Sequence, residues 1–122
     1  MFQSNKWLIH ANRKSALNIN PYDSDAKVVM VGDSSIGKTS LLLRYMEREF
    51  TDCSSTIGAA FVIKTWGVHD IAIWDTAGEE KYAGMTTFYY RNATAAVLTF
   101  DMFDRASFQN PHVSLMLLLK EY

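Results

Sequence analysis

A cation, a hydroxyl and two glycines stand at fixed spacing in Gly32-Asp33-Ser34-Ser35-Ile36-Gly37-Lys38-Thr39. The spacing is that of the phosphate-binding pattern G-x-x-x-x-G-K-[S/T]. Each residue type has a physical reason to be there. Gly32 and Gly37 let the backbone turn sharply and approach an anion closely. Loop N–H groups, and the unpaired N–H groups at the start of a following helix, point at a phosphate, and the helix dipole favours negative charge there. Lys38 puts a cation on terminal phosphates. The Thr39 hydroxyl is a ligand for Mg²⁺, an ion that keeps most of its waters.

Such a loop works only if a strand delivers it and a helix receives it. Lys27-Val28-Val29-Met30-Val31 precedes it, a short apolar run that reads as a buried strand. Leu42, Tyr45, Met46 and Phe50 follow at spacings of three and four and predict a helical stripe. A glycine-punctuated turn has the same letters without the chemistry; the strand and the helix on either side separate the two readings.

Further along, Thr51-Asp52-Cys53-Ser54-Ser55-Thr56-Ile57-Gly58 is small, polar and loop-like. A hydroxyl in such a loop can reach a metal and a γ-phosphate, so that the loop is ordered only when that phosphate is present. On composition alone Thr56 is simply a loop threonine. Ala60 to Trp66 reads as a strand, Gly67-Val68-His69-Asp70 as a turn with His69 solvated at its tip, and Ile71 to Trp74 as the return strand of a hairpin. Asp75-Thr76-Ala77-Gly78 comes next. An acid at the C-terminal end of a strand, after a phosphate loop, is placed to hold Mg²⁺ through water. Gly78 offers an N–H that approaches a γ-phosphate with no side chain in the way. Glu79, Glu80 and Lys81 lead into a short helix expected to carry Tyr82, Met85, Phe88 and Tyr89. Ala93 to Phe100 is another apolar strand, ended by Asp101, and its near-continuous apolar character suits burial on both faces. The last helix is expected to run from Ser107 or Asn110 to Tyr122, with Asn110 as its N-cap beside Pro111.

The 122 residues suffice for one small domain. A net charge of -1 provides no basic field for nucleic acid. An apolar fraction of 48% and an aromatic fraction of 13% support a packed core and argue against disorder. The single cysteine, Cys53, excludes an internal disulfide and fits a reducing compartment. With no base near it in sequence, it reads as a polar-loop residue. No apolar run approaches the roughly 20 residues needed to span a bilayer, and no signal-peptide core opens the chain. Residues 1–25 read as a disordered extension and 26–122 as a partial domain. A basic, acid-poor start also suits a transit peptide, but arginine is sparse there and the plain extension is preferred.

In combination, GDSSIGKTS, TIGAAF, IWDTAGEEKY and FYYRNATAAVLTFD resemble the Rab family of Ras-like small GTPases, from about Lys27 to about Phe108. The resemblance implies an α/β, doubly wound P-loop NTPase fold with a mostly parallel sheet, truncated after the fourth strand and its following helix. It implies GTP and GDP as ligands, Mg²⁺ as cofactor, and a GTP/GDP switch in vesicle or endosomal membrane traffic. The short first switch and compact hairpin resemble a branch of Rabs associated with endosomes and phagosomes. By the same resemblance, Gly32, Asp33, Ser34, Ser35, Ile36, Gly37, Lys38, Thr39 and Ser40 cradle the nucleotide, with Lys38 on the β- and γ-phosphates. Thr39 and Thr56 ligate Mg²⁺, Thr56 only in the triphosphate state; Asp75 holds the metal through water, and the Gly78 N–H senses the γ-phosphate. Lys38, Gly78 and Glu79 form the catalytic set. Phe61, Trp74 and Tyr89 match the aromatic triad that effector and exchange proteins read, with core packing as their other role. The implied location is cytoplasmic, with endosomal or vesicle membrane association for a full-length parent.

The sequence departs from the family pattern in three places. Glu79 stands where most of the family has the glutamine that orients the attacking water. A carboxylate cannot donate an amide hydrogen bond and its charge repels the phosphoryl group, so slow hydrolysis is expected. Single-turnover hydrolysis on a full-length frame is expected to speed up in Glu79→Gln, and an unchanged rate would refute the assignment. The guanine-reading N-K-x-D element is not among these residues, so guanine over adenine is implied by resemblance alone. No C-terminal cysteine motif for prenylation is present, so no membrane anchor is expected on this chain. The fourth strand is expected to leave an uncovered apolar edge. Two other classes fit parts of the pattern: a non-catalytic truncated fragment or binding module lacking the base-specificity elements, and a P-loop kinase using ATP. The D-T-A-G element and the TIG loop argue against the kinase.

Overall fold

A computed structural model describes residues 20, 23–50, 52, 53, 56, 59–78 and 88–111, and in it the apolar runs become a four-stranded sheet. The strands are β1 (Ala26–Val31), β2 (Ala59–Trp66), β3 (His69–Thr76) and β4 (Ala95–Leu98), in the order β2-β3-β1-β4. β1 runs parallel to both β3 and β4, and β2 is antiparallel to β3. Helix α1 (Lys38–Glu47) follows β1, and helix α2 (Arg105–Gln109) follows β4. This is the expected α/β architecture, a mostly parallel mixed sheet with the phosphate-loop pattern between β1 and α1.

The period of two along each strand decides what lies where. Val29 and Val31 of β1, Ile63 of β2, and Ala72 and Trp74 of β3 share one cluster with Tyr90 and Ala93. Their sequence neighbours Met30, Val62, Ile71 and Ile73 form a second cluster with Leu42 of α1. Burial on both faces is why β1 and β3 read as continuous rather than alternating apolar runs.

Several boundaries differ from the expected ones, each for a local reason. α1 stops at Glu47 because Arg48 takes a left-handed conformation (φ 63°) and its N–H donates to Arg44 O at 3.0 Å. Phe50 therefore falls outside the helix, 75% exposed, with the Arg44 guanidinium 5.4 Å from its ring centre. Leu43 is buried in place of Tyr45, whose hydroxyl instead accepts the Trp66 Nε1–H at 2.6 Å. The hairpin turn is only Gly67 and Val68: His69 and Asp70 already pair with Trp66 and Thr65. A two-residue turn of this kind requires a positive φ, which Gly67 supplies at 64°. Asp25, placed in the extension by sequence, donates its N–H to Asp70 O at 2.9 Å and accepts the Asp70 N–H at 2.8 Å. Its carboxylate also lies 3.6 Å from His69 Nδ1.

β4 is shorter than the apolar run that predicts it, and largely exposed rather than buried on both faces. It is the sheet edge, with β1 as its ladder partner among the described residues. α2 begins earlier than Ser107. The Asp104 carboxylate accepts the Ala106 N–H at 3.0 Å, a side-chain cap available three residues ahead of Ser107. Ser107 is buried inside the helix, and its hydroxyl donates to Asp104 O at 2.7 Å. Asn110 is the C-cap of α2, its N–H donating to Ala106 O at 2.9 Å, and the helix expected beyond Pro111 lies outside the described residues. Tyr82 and Met85 lie outside the described residues, as do residues 1–19 and 112–122. Among the described residues, no helix is long and apolar enough to cross a membrane.

Candidate functional site

The loop between β1 and α1 is shaped by its glycines. A Cβ on Gly32 would run into the carbonyl oxygen of Thr99, whose own N–H donates to Val31 O at 2.8 Å. Gly37 (φ 96°) holds the N-cap position of α1 in a conformation that side chains disfavour. No side chain caps this helix start, and no acid sits in its first turn. Its first N–H groups are thus left for an anion, at the positive end of the helix dipole.

A cavity of about 310 Å³ opens over this helix start. Ser34, Ser35, Gly37, Lys38, Thr39 and Ser40 line it, together with Thr56 and Gly78. Gly32, Asp33, Ile36 and Asp75, also expected at the site, do not line the cavity. Gly32 meets Thr99, the Ile36 side chain lies against Gly32, and Asp33 lies against Gly78. Asp52, Cys53 and Thr76 line the cavity without having been nominated from sequence. Cys53 Sγ lies 3.6 Å from Ser40 Oγ, and Thr76 Oγ1 donates to Met30 O at 2.7 Å, tying β3 to β1. Nearness in sequence to Thr56 and Asp75 was the one available signal for all three.

Lys38 is 5% exposed, and its ammonium donates to Gly32 O at 2.8 Å and Asp33 O at 2.6 Å. Burial pushes its pKa below the ordinary lysine value, partly offset by the charges of Asp75 and Asp33. An ammonium has three donors, so one remains beyond the two loop carbonyls.

Three oxygens converge from Thr39, Thr56 and Asp75. Thr39 Oγ1 donates to Asp75 Oδ2 at 2.5 Å, Thr56 Oγ1 donates to the same oxygen at 3.3 Å, and the two hydroxyl oxygens are 2.9 Å apart. Asp75 is 2% exposed, and its Oδ1 has no hydrogen-bond partner among the described residues. Burial raises its pKa; the Thr39 hydrogen bond, the Lys38 charge and the Thr56 hydrogen bond each pull the other way. A buried carboxylate with an unpaired oxygen beside two hydroxyls is a set of hard donors suited to Mg²⁺. Among the described residues no cluster of three His, Cys, Asp or Glu is present, so the donor set is not an all-carboxylate cage.

Asp75→Asn is accordingly expected to remove the Mg²⁺-dependent part of thermal stability in the presence of nucleotide. That part is about 2.7 kcal/mol at a hundredfold excess over Kd, and melting with and without Mg²⁺ reads it. The pH dependence has a fixed sign. Because its folded pKa is raised, Asp75 supports the metal-free fold below the ordinary aspartate value. That support is lost as pH rises through the folded value. Protons and the cation compete for the same carboxylate, so the Mg²⁺ increment shrinks as the solution is acidified.

The aromatic residues form a continuous series beside the site. Phe61 and Trp74 are 5.4 Å apart between ring centres, and Trp74 and Tyr89 are 6.0 Å apart. Trp74 is 6% exposed and belongs to the core, whereas Phe61 and Tyr89 are half-buried. The Lys27 ammonium lies 4.4 Å from the Trp74 ring centre and donates to Arg91 O at 2.9 Å. Glu79 lies outside the described residues.

The sequence pattern of the Ras family matches residues 27–120. Ras-related protein Rab-20 of Homo sapiens is 52% identical over 83 residues, which cover 68% of this chain and 36% of that protein. Its Mus musculus counterpart is 53% identical over 78 residues, covering 64% and 34%. Ras-related protein Rab-17 of Mus musculus is 42% identical over 106 residues, covering 84% and 49%. The chain therefore spans between a third and a half of the length of these relatives.

Proposed function

The chain belongs to the Ras family, as a Rab-type small GTPase domain, and on that premise we propose that it binds GTP and GDP with Mg²⁺ as a switch in vesicle or endosomal membrane traffic. The observation that carries the reading is the meeting of Thr39, Thr56 and Asp75 oxygens beside a cavity that Lys38, Thr39 and Thr56 line. A cationic donor together with cation-seeking oxygens matches a metal-bound polyphosphate.

Each residue has a part. The uncapped N–H groups of α1 and the loop hold the phosphates, and Lys38 places its charge on the β- and γ-oxygens. Thr39, Thr56 and Asp75 would hold Mg²⁺, and the chemistry that ion would supply is neutralisation of phosphate charge. Gly78, free of a side chain, brings its N–H to the γ-phosphate. Water attacks the γ-phosphorus, the bond to the β–γ bridging oxygen breaks, and GDP and inorganic phosphate leave. Glu79, in place of an amide that would orient the water, makes this step slow. Because Thr56 and Gly78 come from segments on opposite ends of the β2–β3 hairpin sequence, loss of the γ-phosphate releases both at once. Phe61 and Tyr89 offer the faces that effector and exchange proteins touch, with Trp74 supporting them from beneath.

The test is a fluorescent-nucleotide titration of the purified chain with Mg²⁺, GDP against ADP. Tight binding that favours GDP is expected. Binding that is equal for the two bases removes the guanine reading, and the absence of binding leaves a switch-surface fragment that engages partners without nucleotide.

A further inference from the structure

One bond ties the phosphate loop to a part of the fold that the reaction does not use. Asn110, at the C-terminal end of α2, donates its Nδ2–H to Asp33 Oδ2 at 2.8 Å, across 77 residues of sequence. Asp33 is where the loop's other constraints meet. Its carbonyl oxygen accepts the Lys38 ammonium at 2.6 Å, and that same carbonyl group is the surface against which Gly78 lies. Asn110 is itself held. Its N–H donates to Ala106 O at 2.9 Å, and α2 is pinned by the Asp104 cap and by the buried Ser107 hydroxyl, which accepts the Asp101 N–H at 2.8 Å.

The chemistry at position 110 matters as well as the reach. A neutral amide donates to the Asp33 carboxylate without repelling it and without bringing a second cation to compete with Lys38. A carboxylate in its place would face Asp33 at hydrogen-bond distance as a like charge.

We propose that Asn110 is a positioning residue of the phosphate loop. Its amide fixes Asp33 so that the Asp33 carbonyl stays on Lys38, and it thereby sets how slowly bound nucleotide leaves. The ligand in this proposal rests on the guanine-nucleotide reading above; the loop geometry does not.

The experiment measures two quantities on the full chain: the release rate of a fluorescent GDP analogue, and hydrogen exchange at the Gly32 to Gly37 amides without nucleotide. Loss of one hydrogen bond in Asn110→Ala is expected to speed release about 2- to 10-fold, and to speed exchange in the loop. Asn110→Asp is expected to exceed Asn110→Ala in both. The double variant Asp33→Asn with Asn110→Asp, which reverses donor and acceptor, is expected to return both quantities toward the parent values. A residue that merely supports the fold gives no such rescue. If the parent holds no guanine nucleotide, the functional reading falls and loop exchange alone judges Asn110. If the parent holds nucleotide but neither release nor exchange moves in Asn110→Ala, or the reversed pair fails to rescue, the proposal is overturned. Should Asn110→Asp not fold, Asn110→Ala carries the test.

Discussion

Replacing Gly78 by alanine is expected to damage triphosphate binding and hydrolysis while sparing the diphosphate complex. The added Cβ would occupy the space of the Asp33 carbonyl carbon and oxygen and the Ser34 nitrogen, all of them backbone atoms. Side chains can rotate out of the way of a methyl group; a loop backbone fixed by Lys38 at two carbonyls cannot. The segment carrying Gly78 must therefore lift off the loop, and such overpacking costs about 1–3 kcal/mol. A displacement of about 1 Å at a reacting centre lowers rates roughly 100-fold, and on the proposed reading Gly78 meets the γ-phosphate, which the diphosphate lacks. Titrations with GDP and with a non-hydrolysable GTP analogue, alongside single-turnover hydrolysis, read the two effects separately. Equal losses for both nucleotides would mean that Gly78 shapes the loop rather than sensing the γ-phosphate.

Lys38→Ala is expected to weaken binding of either nucleotide roughly 10- to 150-fold, about 1.5–3 kcal/mol, the scale of the one charge-assisted hydrogen bond that the donor left over from the two loop carbonyls can make. The fold without nucleotide is expected to change far less. The sign follows from the direction of the pKa shift. Burial lowers the folded pKa of Lys38, so its contribution to stability is present above the ordinary lysine value and lost as pH falls through the folded value. Near neutrality the buried charge works against the ligand-free fold, and deleting it offsets the loss of its bonds to Gly32 and Asp33. Titration together with denaturation of the nucleotide-free variant checks both halves. A collapse of stability equal to the loss of binding would make Lys38 a structural residue first.

How much of this was legible in the sequence depended on distance along the chain. The phosphate loop, the β2–β3 hairpin and the acid near the end of β3 were readable because their physics is local: two glycines, a lysine and a hydroxyl within eight residues, β-branched and aromatic runs on either side of a glycine turn, and an aspartate near a strand end. The convergence of Thr39, Thr56 and Asp75 was stated from a family resemblance, since spacings of 17 and 36 residues carry no geometry by themselves. The Asn110 contact to Asp33 was not legible at all, because nothing in either segment's pattern points to the other. The Asp104 cap is legible, since an aspartate ahead of Arg-Ala-Ser is an ordinary helix-start signal, but Asn110 beside Pro111 offers a competing signal of the same kind. α1 misled in another way. Its three-and-four spacing continued to Phe50, but the backbone had already turned at Arg48, and periodicity does not register where a helix stops.

The β2–β3 hairpin works as a two-tined fork. Its register sets Ala59 opposite Thr76 and Trp66 opposite His69, so the chain arriving from Thr56 and the chain departing to Gly78 meet the cavity from the same end of the ladder. The far end, at Gly67, lies about 26 Å away along eight residues of strand. A slip of one residue anywhere in that ladder would shift one tine past the other by about 3.3 Å and turn its inward side chains outward. The alignment between the two arms that reach the cavity is thus kept by a gauge block of backbone pairs, and its calibration mark is a glycine turn at the opposite end of the hairpin.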